Sequence, residues 1–175
     1  MINNLSKIGF GGSCHWCTEG IFASLTGVEK VEQGWIGSEG ENEYLSEAVI
    51  VHFDETVVSL EKLIEIHLHT HSSTSNHSMR KKYRSAIYSF SNMQHEHCVQ
   101  SLQVLQAGFQ QELVTVVLPF KKYRHNTEDY QNYYYSNPQK PFCQTNIYPK
   151  LKVLAEKFNS QLNKEKLRVN NISIE

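Results

Sequence analysis

The sequence predicts an α+β fold, a mixed β-sheet with helices packed on it, and three observations predict it. Apolar segments rich in β-branched residues alternate with helix-periodic stretches, so a sheet and helices share one body. Two strand-like segments, residues 28–36 and 47–53, follow each other with only a polar loop between them, which excludes a doubly wound parallel sheet. Finally, 175 residues with 39% hydrophobic side chains suffice for one core and fall short of two.

Residues 7–10 read as a short apolar strand running into Gly11-Gly12-Ser13, a turn signal that ends in a good helix cap. A helix follows from Cys14, with Trp16, Ile21, Phe22 and Leu25 apolar and Gly27 as its stop. Residues 28–36 form a strand weakened by Gly34, and a polar loop spans 37–42. The nearly continuous apolar run 47–53 marks a buried strand. Leu60, Leu63, Ile64, His67 and Leu68 fall on one helix face. A long polar loop over 70–82 precedes a strand over 84–90. Ser91 and Gln94 fit a capping box opening a helix with Cys98, Leu102, Leu105 and Phe109 on one face. Residues 112–120 are a further strand, and 126–143 an irregular, aromatic-rich binding loop. The last helix turns Leu151, Leu154, Ala155, Phe158 and Leu162 inward. No linker or repeat interrupts the chain, so one domain is expected over 1–175, with its core over 7–160 and little order in 163–175.

Lys and Arg total 17 against 18 Asp and Glu, a formal charge of -1. That balance offers no footprint for nucleic acid or an anionic membrane. No apolar stretch approaches the ~20 residues of a membrane span, and the N-terminus lacks a secretory apolar run. A reducing, cytoplasmic setting and a monomer are therefore expected. Four cysteines (Cys14, Cys17, Cys98 and Cys143) then read as chemistry before structural disulfides.

The most informative stretch is Gly11 through Glu19. A strand delivers Cys14 to the first turn of a helix, where unsatisfied N–H groups and the helix dipole favour a thiolate, the nucleophilic form. Cys14-x-x-Cys17 is open to several readings: a thioredoxin-like dithiol, half of a zinc site, the nucleophile of a substrate-specific enzyme, or inert thiols beside a packed Trp16. His67, His69, His71 and His77 do not present a converging metal set and read as a solvated helix end. Arg80-Lys81-Lys82 reads as a solvated turn, and Cys98 as a buried small hydrophobe.

The chain resembles the methionine sulfoxide reductase A family from its first strand to about Cys143. The family's Gly-Cys-Phe-Trp-Gly stands here as Ser13-Cys14-His15-Trp16-Cys17, with Glu19 in the place of the Glu that follows. Glu47-Ala48-Val49 matches its Glu-Ala-Val, Tyr83-Arg84-Ser85-Ala86-Ile87-Tyr88 its Tyr-Arg-Ser-Ala-Ile, and 129–143 its Asn-Pro tail with a recycling cysteine. The resemblance implies a ferredoxin-like two-layer sandwich and thiol-dependent reduction of the S epimer of methionine sulfoxide, free or in proteins, without cofactor or metal. By the same resemblance Cys14 attacks the sulfoxide, and Glu47, with a raised pKa, protonates its oxygen. Tyr83 donates a second hydrogen bond, and Trp16 packs the substrate methyl. Cys14 is left as a sulfenic acid, to be resolved by Cys143 in a swinging loop, or by Cys17, and regenerated by thioredoxin or a similar dithiol. The alternatives are a general CxxC dithiol–disulfide oxidoreductase, or a non-catalytic thiol or metal-binding module. Departures from the family are also visible. His15 replaces the family's Phe and becomes one wall of the methyl pocket, while Cys17 replaces a Gly. Residues 37–46 are too few to carry the family's other tyrosine in register, leaving Tyr44 as its stand-in, and Ser78 occupies the spacing of an Asp.

Overall fold

The centre of the molecule is β1 (Ser6–Gly11), in which Ile8 and Phe10 point to one face and Gly9 to the other, following the two-residue period of a strand. The computed structural model describes residues 4–174. β1 pairs antiparallel with β3 (Ser46–Phe53), Phe10 opposite Val49, and on its other side with β4 (Ala86–Ser89), Phe10 opposite Ile87. β2 (Val28–Gly37) lies antiparallel to β3, with Trp35 opposite Glu47. The order β4-β1-β3-β2 is the ferredoxin-like βαββαβ arrangement. β5 (Val116–Pro119) extends it parallel to β4, and β6 (Lys122–His125) antiparallel to β2, so the six-stranded sheet is mixed.

Helices form a single layer on the face carrying Phe10, Val49, Val51 and Ile87. α1 (His15–Ala23) brings Ile21 and Phe22, α2 (Leu60–His69) brings Leu63 and Ile64, and α3 (Asn92–Leu105) brings Cys98. A short α4 (Tyr133–Ser136) adds Tyr134, and α5 (Tyr148–Lys157) adds Leu151 and Leu154. The opposite face holds a small cluster of Ile36, Ala48, Ile50, Ala86 and Tyr88 under Leu118, Phe120 and Tyr123. α2 and α3 begin at Ser59 and Ser91, whose hydroxyls accept from the N–H groups of Lys62 and Gln94.

Several expectations need correction. The last strand covers only Val116–Pro119 of 112–120, and β6, a polar segment, is a strand only because β2 offers it a free edge. α5 ends at Lys157, so Phe158 and Leu162 are buried from the turns beyond it. The tail after 163 carries α6 (Lys164–Val169), which buries Leu167 in the main core. His67 and His71 are no solvated helix end: His67 is buried on Phe10, and His71 stacks on His67 with ring centroids 4.2 Å apart. Arg80 is not a solvated turn residue either, because its guanidinium donates to the carbonyls of Gly12, Ser72, Ser75 and Tyr83.

Gly34 has a specific reason: a Cβ there would collide with the carbonyl of Arg124 on β6. Gly34→Ala should therefore prise β6 from β2 and cost about 1–3 kcal/mol, read as a lower urea midpoint; an unchanged midpoint would show that β6 adjusts freely.

Candidate active site

β1 ends at Gly11, and Gly12, at φ +151, turns the chain into α1. A side chain at Gly12 is excluded, since its Cβ would lie 2.4 Å from the His71 ring at a φ that L side chains rarely adopt. Arg80 holds the same turn from outside, donating to the Gly12 carbonyl at 2.9 Å. Cys14 is thereby the N-cap of α1, and its carbonyl accepts the N–H groups of Cys17 and Thr18. Its side chain opens on a cavity of about 350 Å³ that also exposes Cys17, Tyr83, Phe142, Asn146 and Lys150.

The two thiols are electrically unequal. Cys14 is held below the ordinary thiol value, first by a hydrogen bond from Cys17; the N–H groups of Trp16 and Cys17 add to this, against burial and the Glu47 carboxylate. Cys17 is pushed up by that same bond, by burial and by the neighbouring charge. Cys14 is thus the more acidic of the two thiols, and Cys17 stays protonated beside it. Lys150 donates to the Thr70 carbonyl at 2.5 Å; burial lowers its pKa, against the pull of the neighbouring cysteine pair. Nothing in the sequence singled it out, for it lies on a helix legible only as amphipathic.

Glu47, the second residue of β3, lies on the same sheet face as α1 and is 8% exposed. The backbone N–H of His15 reaches its Oε2 at 3.4 Å, and the His15 Nε2 lies 3.7 Å from its Oε1. Tyr83, half-buried on the cavity wall, hydrogen-bonds Lys82, an interaction that raises the lysine pKa. Cys14 and Tyr83 therefore share the cavity, whereas Glu47 does not line it and is felt at Cys14 through its charge. His15 and Trp16 sit differently from their expected places. His15 is 3% exposed and turned to the sheet, its Nδ1 on the Gly34 carbonyl at 2.8 Å, so it supplies no cavity wall. Trp16 stacks on Tyr133 at 4.1 Å and meets Phe142 edge-on at 5.3 Å; Phe142, not the indole, faces the cavity. Tyr44 lies outside it, clamped under the Arg84 guanidinium, which also donates to its carbonyl.

Cys143 is fully buried in a π-helical turn (Cys143–Ile147) that leads into α5, and it does not line the cavity; the expected swinging loop is a packed turn. Cys98 is a buried thiol of α3, pushed up to about 12 by burial. Among the described residues no group of three metal-ligating side chains converges, and no helix is long and apolar enough to cross a membrane.

The link between Cys17 and Cys14 predicts a pH effect. A thiolate stabilised by a donor loses that help when the donor is removed, so in Cys17→Ala the Cys14 pKa rises. Alkylation of Cys14 by iodoacetamide should then need a more alkaline pH, and an unmoved profile would show that the helix start alone sets it.

A family model described as peptide methionine sulfoxide reductase matches residues 6–163. The MsrA protein of Trichodesmium erythraeum is 33% identical over 174 residues, covering 90% of this chain and 98% of that protein. The reduced form of Saccharomyces cerevisiae Mxr1 superposes with a TM-score of 0.71 at 20% identity, covering 81% of this chain and 91% of that one. Mxr1 in complex with Trx2 superposes at 0.59 and 17% identity, over 71% and 82%. The structural likenesses carry the fold, and the sequence matches carry the family: this chain belongs to the peptide methionine sulfoxide reductases.

Proposed function

We propose that the chain reduces the S epimer of methionine sulfoxide in peptides and proteins, with Cys14 as nucleophile. The observation that carries this reading is a Cys14 thiol, its pKa lowered by the Cys17 hydrogen bond, facing a cavity shared with Tyr83 and Cys17, with Glu47 behind it on the His15 N–H. The Cys14 sulfur takes the sulfoxide oxygen, Glu47 supplies one proton to that oxygen, and Tyr83 donates a hydrogen bond to it as charge develops. Methionine leaves, and Cys14 becomes a sulfenic acid. Phe142, backed by Trp16 and Tyr133, is the apolar wall for the substrate methyl.

Cys17 is then the resolving thiol. It shares the cavity and one helical turn with Cys14, whereas Cys143 would have to leave a packed turn. Attack of Cys17 on the sulfenic sulfur forms the Cys14–Cys17 disulfide and releases water. A dithiol reductant of the thioredoxin class returns both thiols, in keeping with the complex that Mxr1 forms with Trx2.

Anaerobic mixing of the reduced chain with the separated epimers, counting methionine formed and thiols lost, tests the reading. The S epimer should yield one methionine and remove two thiols per chain in the unmodified protein and in Cys143→Ser. Cys17→Ser should still yield methionine but lose one thiol, and Cys14→Ser should yield none. Two thiols lost in Cys17→Ser, and one in Cys143→Ser, would return resolution to Cys143. No methionine from either epimer, with reduction of a peptide disulfide instead, would make the chain a general dithiol oxidoreductase.

A further inference from the structure

Lys150 places an ammonium on the wall of the reactive cavity, and the reaction as described has no use for it. It is the third residue of α5, where the helix dipole opposes a cation, and it is half-buried. Among the described residues no carboxylate pairs with it. Its ammonium makes one hydrogen bond, to the Thr70 carbonyl, which occupies one of three donors. A cation at a helix start, partly out of water and without a counter-ion, costs stability. What it faces accounts for its place. The Cys17 thiol donates to the Asn146 carbonyl at 3.9 Å, and Asn146 stands four residues before Lys150. Cys17, Asn146 and Lys150 line the same cavity as Cys14.

We propose that Lys150 is a positioning residue for the resolving step: from the cavity wall its ammonium stabilises the Cys17 thiolate once Cys14 has become a sulfenic acid. The proposal rests on the reading of Cys17 as the resolving thiol. That thiolate attacks the sulfenic sulfur, and the S–S bond forms as the S–OH bond breaks. The departing hydroxide takes up the proton that Cys17 gave up and leaves as water. Formally the Cys17 sulfur gives one electron and the Cys14 sulfur, oxidised by the substrate one step earlier, takes one. No outside oxidant enters.

The groups around Cys17 act differently before and after the sulfoxide is reduced. In the reduced chain its proton is held by the hydrogen bond to Cys14, by burial and by the charge that Cys14 carries when ionised. The Glu47 carboxylate of β3 adds to these, and Lys150 alone works the other way. Lys150 is not among the main influences on Cys14, so its effect falls chiefly on the second thiol. His77 and Tyr83 also line the cavity, and neither is among the main influences on Cys17. His67 and His71 feel the Lys150 charge too, but burial keeps both rings neutral. Oxidation replaces the Cys14 thiolate by a neutral S–OH, which removes the acceptor and its charge together. Burial and Glu47 then stand against Lys150, the one cation in place to favour the thiolate. Cys17 therefore keeps its proton while Cys14 needs a donor and yields it when Cys14 needs a nucleophile.

A single turnover separates the two steps: methionine formed reports on Cys14, and loss of the second thiol reports on Cys17. Reduced chain is mixed with the S epimer over a range of pH, with dimedone trapping any sulfenic acid that persists. Lys150→Gln keeps a donor for the Thr70 carbonyl and loses the charge. Its second phase should be about tenfold slower at neutral pH, with the pH profile moved about one unit toward alkali, the size expected on losing an opposite charge. Lys150→Met, which loses the hydrogen bond as well, should match it, and Lys150→Arg should restore the profile of the unmodified chain. A profile unmoved in Lys150→Gln, a rate lowered equally at every pH, or an Lys150→Arg as slow as Lys150→Gln overturns the proposal. If the chain leaves the sulfoxide untouched, the proposed function falls. One equivalent of hydrogen peroxide then forms the same sulfenic acid at Cys14, releasing water, and the second phase is read as before. Two thiols lost in Cys17→Ser would take the resolving role from Cys17 and the proposal with it. An unmoved profile with that role intact removes Lys150 alone.

Discussion

The buried carboxylate of Glu19 is the interaction on which the site's second half depends. It is 2% exposed on α1, five residues beyond Cys14. It accepts the backbone N–H groups of Asn132 at 2.9 Å and Tyr133 at 2.8 Å, and the Gln33 side-chain amide at 3.1 Å. Asn132 stands in the left-handed region, at φ 53, which an asparagine tolerates and which aims two successive N–H groups at one acceptor. Burial pushes the Glu19 pKa up, and those donors hold it down. An isolated carboxylate could not be kept there; one with three donors can. Through it α1, β2 and the segment leading to Tyr133 become one body.

The opposite flank of the nucleophile is organised on the same principle with the signs reversed. Arg80 presents its N–H donors in a rigid fork and makes four hydrogen bonds with them, to the carbonyls of Ser72, Ser75 and Tyr83 and to that of Gly12. A loop has few backbone partners of its own, so a guanidinium can replace the missing ladder. His71 completes the support, its Nδ1 on the His67 carbonyl and its Nε2 on the Ser85 hydroxyl. The turn before Cys14 is thus backed by His71, just past α2, and held by Arg80 of the 72–83 loop. Such fixing of the nucleophile by residues that do not react is what a pre-organised site requires.

Much of this molecule was legible from its residues. The β-branched run of β3, the helix face of α2 and the cap at Ser91 each carry a local signal with one physical reading, and the elements formed where those signals lie. Four sequence blocks in the right order, around Cys14, Glu47, Tyr83 and Cys143, carry the family resemblance without any geometry. β6 was not legible, because four polar residues become a strand only when β2 presents an unpaired edge. Nor was the placement of Tyr44: Arg84 captures its ring and its carbonyl, and that arginine comes from a segment 40 residues away.

What the sequence determined by itself was the chemistry available: a cysteine at the start of a helix, a second thiol one turn on, and a carboxylate and a tyrosine in strand-end blocks. What only the tertiary structure decided was which of these groups share a space. Cys17 opens on the cavity of Cys14 while Cys143 packs into a helical turn, and spacing along the chain cannot separate the two cases. Trp16 stands behind Phe142 because Tyr133 stacks on it, and His15 faces Glu47 because the Gly34 carbonyl has taken its other nitrogen. Each of these outcomes is a contact between residues far apart in sequence, where burial and hydrogen-bond satisfaction are settled only once all the elements have packed.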